Sequence, residues 1–360
     1  MKSYLVTLSP LEPYFFGGER GFGFGTVKGS LKQRYFISSL HTPSQTTLLG
    51  ALRYAVLSAN DALISDYSRG SADRERADIL VGAESFDFSR ENRFGVIGSI
   101  HPLFIIDGED YLVPMPMNHK NGQSHYTPIS MKPCPKGITL STGTSYASDY
   151  VVKEGCGDGW LNLTDHSVMP LEYDPQKEKG LFQSVIRVGI NAHRGEKPET
   201  RNDDESFFKK EYKFLRKGKF AFFADMEQEY ARGLENGVAV FLGQSRSAFV
   251  LKAVRRENDL FTRISAALSE EAVNDFWYAP ADCRIQQKYA GLMIAKTRLF
   301  RHLTTSADNR YYYRINKTEK LYRLLNAGAV FYGEKPLFAT DKGAQVIGMN
   351  ELVRITKGGR

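Results

Sequence analysis

The segment from Leu11 to Leu57 constrains the fold most, because a run of glycine and aromatic residues leads into a helix with a clear start signal. The run reads PYFFGGERGFGFG and begins at Pro13, and the start signal is a Thr-Pro-Ser-Gln sequence. Thr42 is predicted to cap the helix and Pro43 to occupy its first position. Gln45 is predicted to complete a capping box by reaching back to the cap.

The helix that follows has an apolar arc and an opposite arc of mixed character. The apolar arc is expected to face the core, and its residues are Leu48, Leu49, Leu52, Ala55 and Val56. The opposite arc carries Thr46, Gly50 and Arg53. A glycine inside a helix costs about 1 kcal/mol relative to alanine, so Gly50 predicts that another group packs closely there. An ordinary amphipathic helix with a tolerated glycine is the alternative.

The glycine–aromatic run is predicted to be a loop that contacts a ligand. Glycine lets a backbone approach a ligand closely, and aromatic rings stack on bases. In such a loop Arg20 is expected to contact a phosphate. A flexible connection whose aromatic rings pack against the core is the alternative interpretation.

Composition restricts the chain to an ordinary globular class. Of its 360 residues, 42% are hydrophobic and 25% are charged, and neither a membrane-spanning run nor a signal peptide is recognisable. The three cysteines, Cys134, Cys156 and Cys283, form no CxxC pair, so neither a zinc site nor a disulfide framework is expected. We expect a protein of the reducing cytoplasm, with no metal and no cofactor.

The positive charge of the chain is concentrated in one segment, residues 284–323. This segment holds ten basic and two acidic residues, a net charge of +8, whereas the whole chain carries +7. Six aromatic residues are interleaved with these charges: Tyr289, Phe300, Tyr311, Tyr312, Tyr313 and Tyr322. Concentrated positive charge with interleaved aromatic rings indicates a nucleic-acid surface. A solvated charged face and a site for an acidic protein partner are the alternatives.

Alternating patterns predict most of the regular structure. Strands are expected at 1–8, 94–107, 111–114, 184–190, 211–215, 219–223, 237–254 (two strands around a turn), 327–332 and 345–355. A helix is predicted over 264–276 and a short one over 319–326, whereas the segment up to Ser39 is expected to be a polar surface excursion.

The fold class predicted from this order is α+β, with two ferredoxin-like (RRM-like) βαββαβ domains in tandem and long inserted loops and hairpins. The N-terminal domain is placed at 1–236, with an insertion at about 115–180, and the C-terminal domain at 237–360. The insertion is rich in Pro, Gly, Ser and Asn, and is expected to contain short strands of its own.

Motifs for catalysis are not found in the sequence. The seven histidines do not pair at metal-ligand spacing, and no nucleophile elbow, Walker loop or dinucleotide fingerprint occurs. A metal-free ribonuclease needs only a base and cations near a 2′-hydroxyl. His302 beside Arg298 and Arg301, or His41 before the helix, fits that requirement, although a lone histidine is far more often structural. We predict no catalytic residue.

Five sequence blocks occur together in an order that is typical of a known family. They are PYFFGGER from Pro13, TPSQTTLLGALR from Thr42, RVGI from Arg187, AGAVF from Ala327 and IGMN from Ile347. With these blocks the sequence resembles the RAMP superfamily of CRISPR interference proteins, and within it the third subunit of the type III-B (Cmr) effector. Near its C-terminus the sequence has only a sparse version of the superfamily's glycine-rich loop.

The resemblance implies two ferredoxin-like domains joined into one saddle and a role in antiviral defence. It implies an RNA-binding subunit that holds the 5′ handle of the guide RNA (crRNA) and does not cut target RNA. The implied protein partners are the large polymerase/cyclase-type subunit and the first backbone RAMP subunit. Two other functions stay open: a RAMP endoribonuclease that processes guide RNA, and an adaptor that mainly makes protein contacts.

Residues near the guide RNA are predicted by combining the resemblance with the charge pattern. The first group is expected near the handle and consists of Arg20, Phe22, Gln45, Thr46 and Arg53. A second group lies on a strand and its tip, which would enter between nucleotides, and consists of Arg187, Asn191 and His193. A third group is expected to contact RNA or the large subunit and consists of Arg310, Tyr311, Tyr313, Arg314 and Lys320.

Overall fold

The computed structural model describes residues 1–27, 30–66, 71–134, 137–140, 145–146, 158–190, 207–243, 245–285, 289, 291–307, 313–317, 320–338 and 343–358. The backbone alone is described at 18–27, 30–35, 131–134, 137–140, 145–146, 189–190, 207–208, 303–307 and 313–317.

Helices are few in this part of the chain, and strands are many. The helices are α1 Gln45–Ala59, α2 Ala72–Val81, α3 Gln228–Ala231 and α4 Leu260–Glu271. The strands of the first half are β1 Lys2–Pro10, β2 Phe16–Val27, β3 Ser30–Leu40, β4 Ile97–Ile100, β5 Phe104–Asp107, β6 Asp110–Pro114, β7 Met131–Cys134, β8 Gly137–Leu140, β9 Ser145–Tyr146, β10 Trp160–Asn162 and β11 Val168–Met169. The remaining strands are β12 Phe182–Ile190, β13 Phe207–Leu215, β14 Lys219–Met226, β15 Val238–Leu242, β16 Ser247–Arg255, β17 Phe276–Tyr278, β18 Leu292–Ile294, β19 Thr297–Phe300, β20 Leu303–Ala307, β21 Tyr313–Lys317, β22 Tyr322–Leu325, β23 Val330–Tyr332 and β24 Val353–Ile355.

A mostly antiparallel sheet of nine described strands forms the centre of the protein. Its order is β11-β10-β6-β5-β14-β1-β16-β15, and β4 pairs with β14 beside β5. Val6 of β1 lies opposite Phe222 of β14 on one side and Ala253 of β16 on the other. The predicted first strand is therefore central. The α+β class expected from the sequence is confirmed.

Two hydrophobic cores lie on opposite faces of this sheet, because successive side chains of a strand point to opposite faces. Val6 and Leu8 of β1 belong to the core that includes Leu48 and Leu52 of α1. Leu5 belongs to the other core, which α4 covers with buried residues including Leu260, Ile264 and Leu268. The apolar arc predicted for the first helix is thus buried as expected.

The glycine–aromatic run is a strand, which corrects the prediction of a loop. It forms most of β2, which pairs with β3, so the predicted polar excursion up to Ser39 is also strand. This hairpin joins the β12–β13 hairpin in a sheet of order β12-β13-β3-β2, in which β13 and β3 are parallel. Glycine alternates with phenylalanine from Gly21 to Gly25, and this period of two fits a strand even though glycine is a poor strand former.

Gly50 does not mark a close contact, which corrects the interpretation of the opposite arc of α1. It is exposed, and a Cβ added there would meet nothing within 4 Å. In the chain by itself, Gly50 therefore fits the alternative interpretation, a tolerated glycine in an amphipathic helix. The helix begins at Gln45, two residues after the predicted first position Pro43, and Ser44 caps it in place of Thr42. Gln45 does not form the predicted capping box, because its side-chain amide donates to the carbonyls of His101 and Ile347.

The C-terminal part contains small sheets, and one predicted helix is wrong there. A helix was expected over residues 319–326, but this segment contains the strand β22, which pairs with β19. Tyr322 and Leu324 are buried and Arg323 between them is exposed. This alternation with a period of two residues is that of a strand and not of a helix. The helix predicted over 264–276 is α4 and ends earlier, and Phe276 belongs to β17.

The predicted division into two domains remains a prediction. The hairpin β15–β16 follows the expected boundary at residues 236 and 237, and β16 pairs with β1 in the central sheet. Within the predicted insertion, β7, β8 and β9 form a small separate sheet, whereas β10 and β11 extend the central one. Short strands were expected in this segment and are found.

Candidate nucleic-acid interface

A groove lies in the segment where the sequence concentrates positive charge, and we call it the basic groove. It has a volume of about 750 Å³. It is lined by Arg284, Ile285, Met293, Ala295, Lys296, Thr297, Lys320, Leu321, Tyr322, Arg323 and Leu325. Four of these described lining residues are basic and none is acidic. Lys296 is paired with Asp158, which lies outside the groove lining. The described lining keeps an excess of positive charge, so a phosphate backbone would be attracted here.

The pairing of β19 with β22 builds the floor of the basic groove. Because Tyr322 is buried on β22, its neighbours Leu321 and Arg323 are exposed. The guanidinium carbon of Arg284 lies 5.2 Å from the centre of the Tyr322 ring, and the ammonium nitrogen of Lys320 lies 5.1 Å from it. The ring therefore holds two of the four charges by cation–π contact. It is too buried to stack openly on a base.

A second cavity, which we call the α1 cleft, opens at the start of α1. Its volume is about 270 Å³. Its lining comes from distant parts of the chain and consists of Leu40, His41, Thr42, Pro43, Ser44, Gln45, Leu103, Pro114, Met115, Met117, Asp158, Gly159, Trp160, Leu171, Pro280, Ala281, Asp282, Lys296, Arg298, Asn326 and Ala327. Lys296 lines both this cleft and the basic groove, so the two cavities are adjacent.

The residues at the start of α1 are held by hydrogen bonds. The Ser44 hydroxyl accepts from the Thr47 N–H at 3.3 Å, and it lies 3.0 Å from the hydroxyl of Thr46. The buried Gln45 amide donates to the carbonyls of His101 at 3.0 Å and Ile347 at 2.7 Å. Gln45, predicted as an RNA contact, thus joins α1 to the turn before Gly348 while lining the cleft.

Two ion pairs cross the wall of the α1 cleft. Lys296 pairs with Asp158, and Arg298 pairs with Asp282. Asp282 also accepts the backbone N–H of Ala327 at 3.0 Å. The cleft therefore has little net charge, in contrast to the basic groove beside it.

Arg53 lies away from both cavities and is engaged inside the protein. Its guanidinium donates to the carbonyls of Gly82 at 2.6 Å and Glu84 at 3.1 Å, and lies over the Phe94 ring at 5.8 Å. Burial lowers the pKa of Arg53, and the carboxylate of Asp78 acts in the opposite direction. Contact of Arg53 with RNA stays a prediction.

Arg20 and Arg187 lie in one row of the four-stranded sheet. Arg20 of β2 pairs with Ile37, Ile37 pairs with Lys210 of β13, and Lys210 pairs with Arg187 of β12. The exposed Arg187 guanidinium lies 4.7 Å from the Tyr212 ring centre. Two residues predicted from separate segments are thus brought to the same sheet.

Lys210 is a cation that the sequence reasoning missed. Its ammonium lies 3.7 Å from the centre of the Phe15 ring and donates to the Ser245 hydroxyl at 2.5 Å. Phe15 belongs to the FFGG block and is fully buried. Lys210 lies one residue before the strand predicted over 211–215 and two residues before Tyr212, and this alternation of lysine with an aromatic residue was the available signal. The sequence reasoning also missed Arg284, Lys296 and Arg323 as individual lining residues of the basic groove.

The other predicted residues are described in part or lie outside the described residues. Lys320 lines the basic groove, and its contact with RNA or the large subunit stays a prediction. The backbones of Phe22, Tyr313 and Arg314 are in β2 and β21. The predictions outside the described residues are Asn191, His193, Arg310 and Tyr311.

The two histidines considered for a ribonuclease have different surroundings. His302 is buried between the rings of Phe86, Phe88 and Tyr322, and burial lowers its pKa. His41 lines the α1 cleft, and its Nε2 lies 2.7 Å from Glu172. The buried site of His302 does not suit a base that must reach substrate.

A cluster around Glu172 fixes the position of His41. The buried Lys213 ammonium donates to Glu172 at 2.5 Å, to Ser184 at 2.8 Å and to Glu211 at 3.0 Å. Burial acts to raise the pKa of Glu172, but hydrogen bonds from Lys213 and His41 outweigh it and the pKa is lowered. The carboxylate is therefore ionised at neutral pH and orients the imidazole.

The described residues contain neither a metal-binding cluster nor a membrane-spanning helix. Among the described residues, no group of three or more His, Cys, Asp or Glu side chains is arranged to hold a metal ion. No helix in the described ranges has the length and apolar character to cross a membrane.

Comparison with known proteins identifies the class as CRISPR-associated. The model of the CRISPR-associated protein family Cas_Cmr3 matches residues 6–274, which is most of the chain. The chain therefore belongs to the Cas_Cmr3 family. A comparison with curated proteins gives no match.

Two cryo-EM structures show similarity over most of the chain. One is a chain of the type III-B Cmr-beta complex bound to cognate target RNA, with 12% identity, a TM-score of 0.44, and coverage of 91% of this chain and 86% of its own. The other is from the complex with cognate target RNA and AMPPnP, with 12% identity, a TM-score of 0.42, and coverage of 91% and 85%.

Proposed function

We propose that this protein is a non-catalytic RNA-binding subunit of a type III-B CRISPR interference complex, and that it holds the 5′ handle of the guide RNA in antiviral defence. Membership of the Cas_Cmr3 family supports a place in a CRISPR system. The basic groove carries the RNA part of the proposal, because four basic side chains and no described acidic one line it. Single-stranded nucleic acid is bound in grooves of this charge.

The position in the complex is proposed as that of the third subunit, a member of the RAMP superfamily with two ferredoxin-like domains. Its protein partners would be the large polymerase/cyclase-type subunit and the first backbone RAMP subunit. The residues proposed for RNA contact are those predicted from the sequence, with Lys320 in the basic groove first among the described ones.

Crosslinking in the assembled complex tests this function. Handle nucleotides carrying a photoreactive base are expected to crosslink to this subunit, at peptides that contain residues 284–285, 295–297 or 320–325 of the basic groove. The proposal fails if the handle nucleotides crosslink only to other subunits, which would favour the protein adaptor.

A guide-RNA endoribonuclease is the second candidate, because His41 is oriented by Glu172 at the edge of the α1 cleft. Incubating the protein with repeat RNA in the absence of metal separates the two functions. Site-specific cleavage that is lost in His41→Ala, and retained in a His125→Ala control, would replace the scaffold proposal. RNA that stays intact with the wild-type protein and with the His125→Ala control supports the non-catalytic function.

A further inference from the structure

Much of the wall of the α1 cleft is apolar, although two ion pairs cross it and the cleft opens beside a strongly charged groove. Met115, Met117 and Trp160 are each less than a tenth exposed and still line it, and Pro43 closes another side. Methionine sulfur and flat apolar walls favour contact with an aromatic ring. The walls therefore suit a planar, partly apolar group better than a hydrated ion.

The size of the α1 cleft limits what it can take. Drug-sized ligands occupy pockets of about 300–1,000 Å³, and a cavity of about 150 Å³ accepts a benzene ring. The volume of about 270 Å³ lies between these values. One nucleobase is the unit of an RNA strand that matches this space.

Charge separates the roles of the two cavities. In the α1 cleft, the cations of Lys296 and Arg298 are each paired with a carboxylate, Asp158 and Asp282. These carboxylates would repel a phosphate and can accept hydrogen bonds from the N–H groups of a base. In the basic groove no described lining residue is acidic. Phosphates are therefore favoured in the groove, and a neutral base is favoured in the cleft.

We propose that the α1 cleft binds one unstacked nucleobase of a single-stranded RNA whose phosphates lie in the basic groove. Lys296 lines both cavities, so a strand that passes this residue would place its backbone on one side and one base on the other. This inference rests on the proposed RNA-binding function. It adds that the basic groove binds the phosphates of the RNA by charge, and that the α1 cleft binds the base of one particular nucleotide.

The test uses short single-stranded RNAs that cover the handle and carry the fluorescent base 2-aminopurine at one position each. Its emission depends on stacking, so a base that leaves the stack changes its signal. With the wild-type protein, one position is expected to change its emission far more than its neighbours. Filling the cleft by Ala327→Phe, or by Thr42→Tyr, should abolish that response and weaken RNA binding by about fivefold or more.

The controls keep the inference separate from the proposed function. Ala239→Phe introduces the same ring at an exposed residue of β15 and should retain the response. Thermal unfolding shows whether each variant is folded. If the wild-type protein binds the RNA with no responsive position, or if the response persists in both folded cleft variants, the inference is overturned and the proposed function stands. Failure of all the RNAs to bind at low salt overturns the proposed function and the inference together.

Discussion

Arg53, a residue predicted near the guide RNA, also has a structural role within the protein. Its guanidinium bridges α1 to the carbonyls of Gly82 and Glu84 after α2. Hydrogen bonds to a charged group are stronger than those between neutral groups. Arg53→Ala is therefore expected to lower the free energy of unfolding by about 2 kcal/mol, as measured by urea denaturation. Arg93→Ala, which removes an exposed arginine nearby, should have little effect, and equal losses in the two variants would contradict this role.

His302 is expected to make the stability of the protein depend on pH. Burial holds its pKa below the ordinary value, with Asp87 acting in the opposite direction and Arg90 in the same one. As the pH falls through about 6.5, this histidine is protonated in the unfolded chain but stays neutral in the folded protein. The free energy of unfolding therefore decreases as the pH falls. Urea denaturation between neutral and mildly acidic pH is expected to show this loss, and His302→Phe should reduce it.

His119 contributes in the same direction, because burial lowers its pKa as well. Some acid-side loss is therefore expected to remain in His302→Phe. The exposed His125 provides the control, and His125→Ala should retain the full loss. An identical pH dependence in the wild-type protein and His302→Phe would rule out a contribution from His302.

At the scale of elements, the sequence and the structure indicate different N-cap residues for α1. The sequence favours Thr42 as the cap, whereas in the structure the hydroxyl of Ser44 accepts the Thr47 N–H. Ser44→Ala is expected to cost about 1 kcal/mol of unfolding free energy, and Thr42→Ala considerably less. Chemical denaturation of the two variants decides between the caps, and the reverse order would restore the cap predicted from the sequence.

Local patterns predicted the hairpins well, because a period of two and a turn are both contained in a short stretch of sequence. The pairs β5–β6 and β15–β16 were found where they were expected. The segment 319–326 failed as a helix, since its strand β22 is set by pairing with β19, a partner outside the local window. The glycine–aromatic run failed as a loop for a different reason. Its partner β3 is the next strand of the chain, but glycine is a poor strand former and so concealed the period of two.

At the scale of the whole molecule, the fold brings together two parts that the sequence analysis treated separately. The start of α1 and the basic segment meet at Lys296. The charge count predicted a nucleic-acid surface over residues 284–323, where the groove lies, but it did not predict that Tyr322 would be buried beneath Arg284 and Lys320. Whether a side chain is buried or exposed depends on long-range contacts, and these cannot be read directly from a single sequence. The row that joins Arg20 to Arg187 likewise depends on the parallel pairing of β3 with β13.

The salt dependence of RNA binding tests the central claim, that the basic groove holds single-stranded RNA, most directly. Each phosphate contact with a single strand contributes about 0.7 to the slope of log affinity against log salt. The double variant Lys320→Gln/Arg323→Gln is expected to reduce that slope by about 1.4. The matched control Lys217→Gln/Arg232→Gln removes the same charge from exposed residues outside the groove and should keep the wild-type slope. A groove variant whose slope equals that of the wild-type protein would contradict the account.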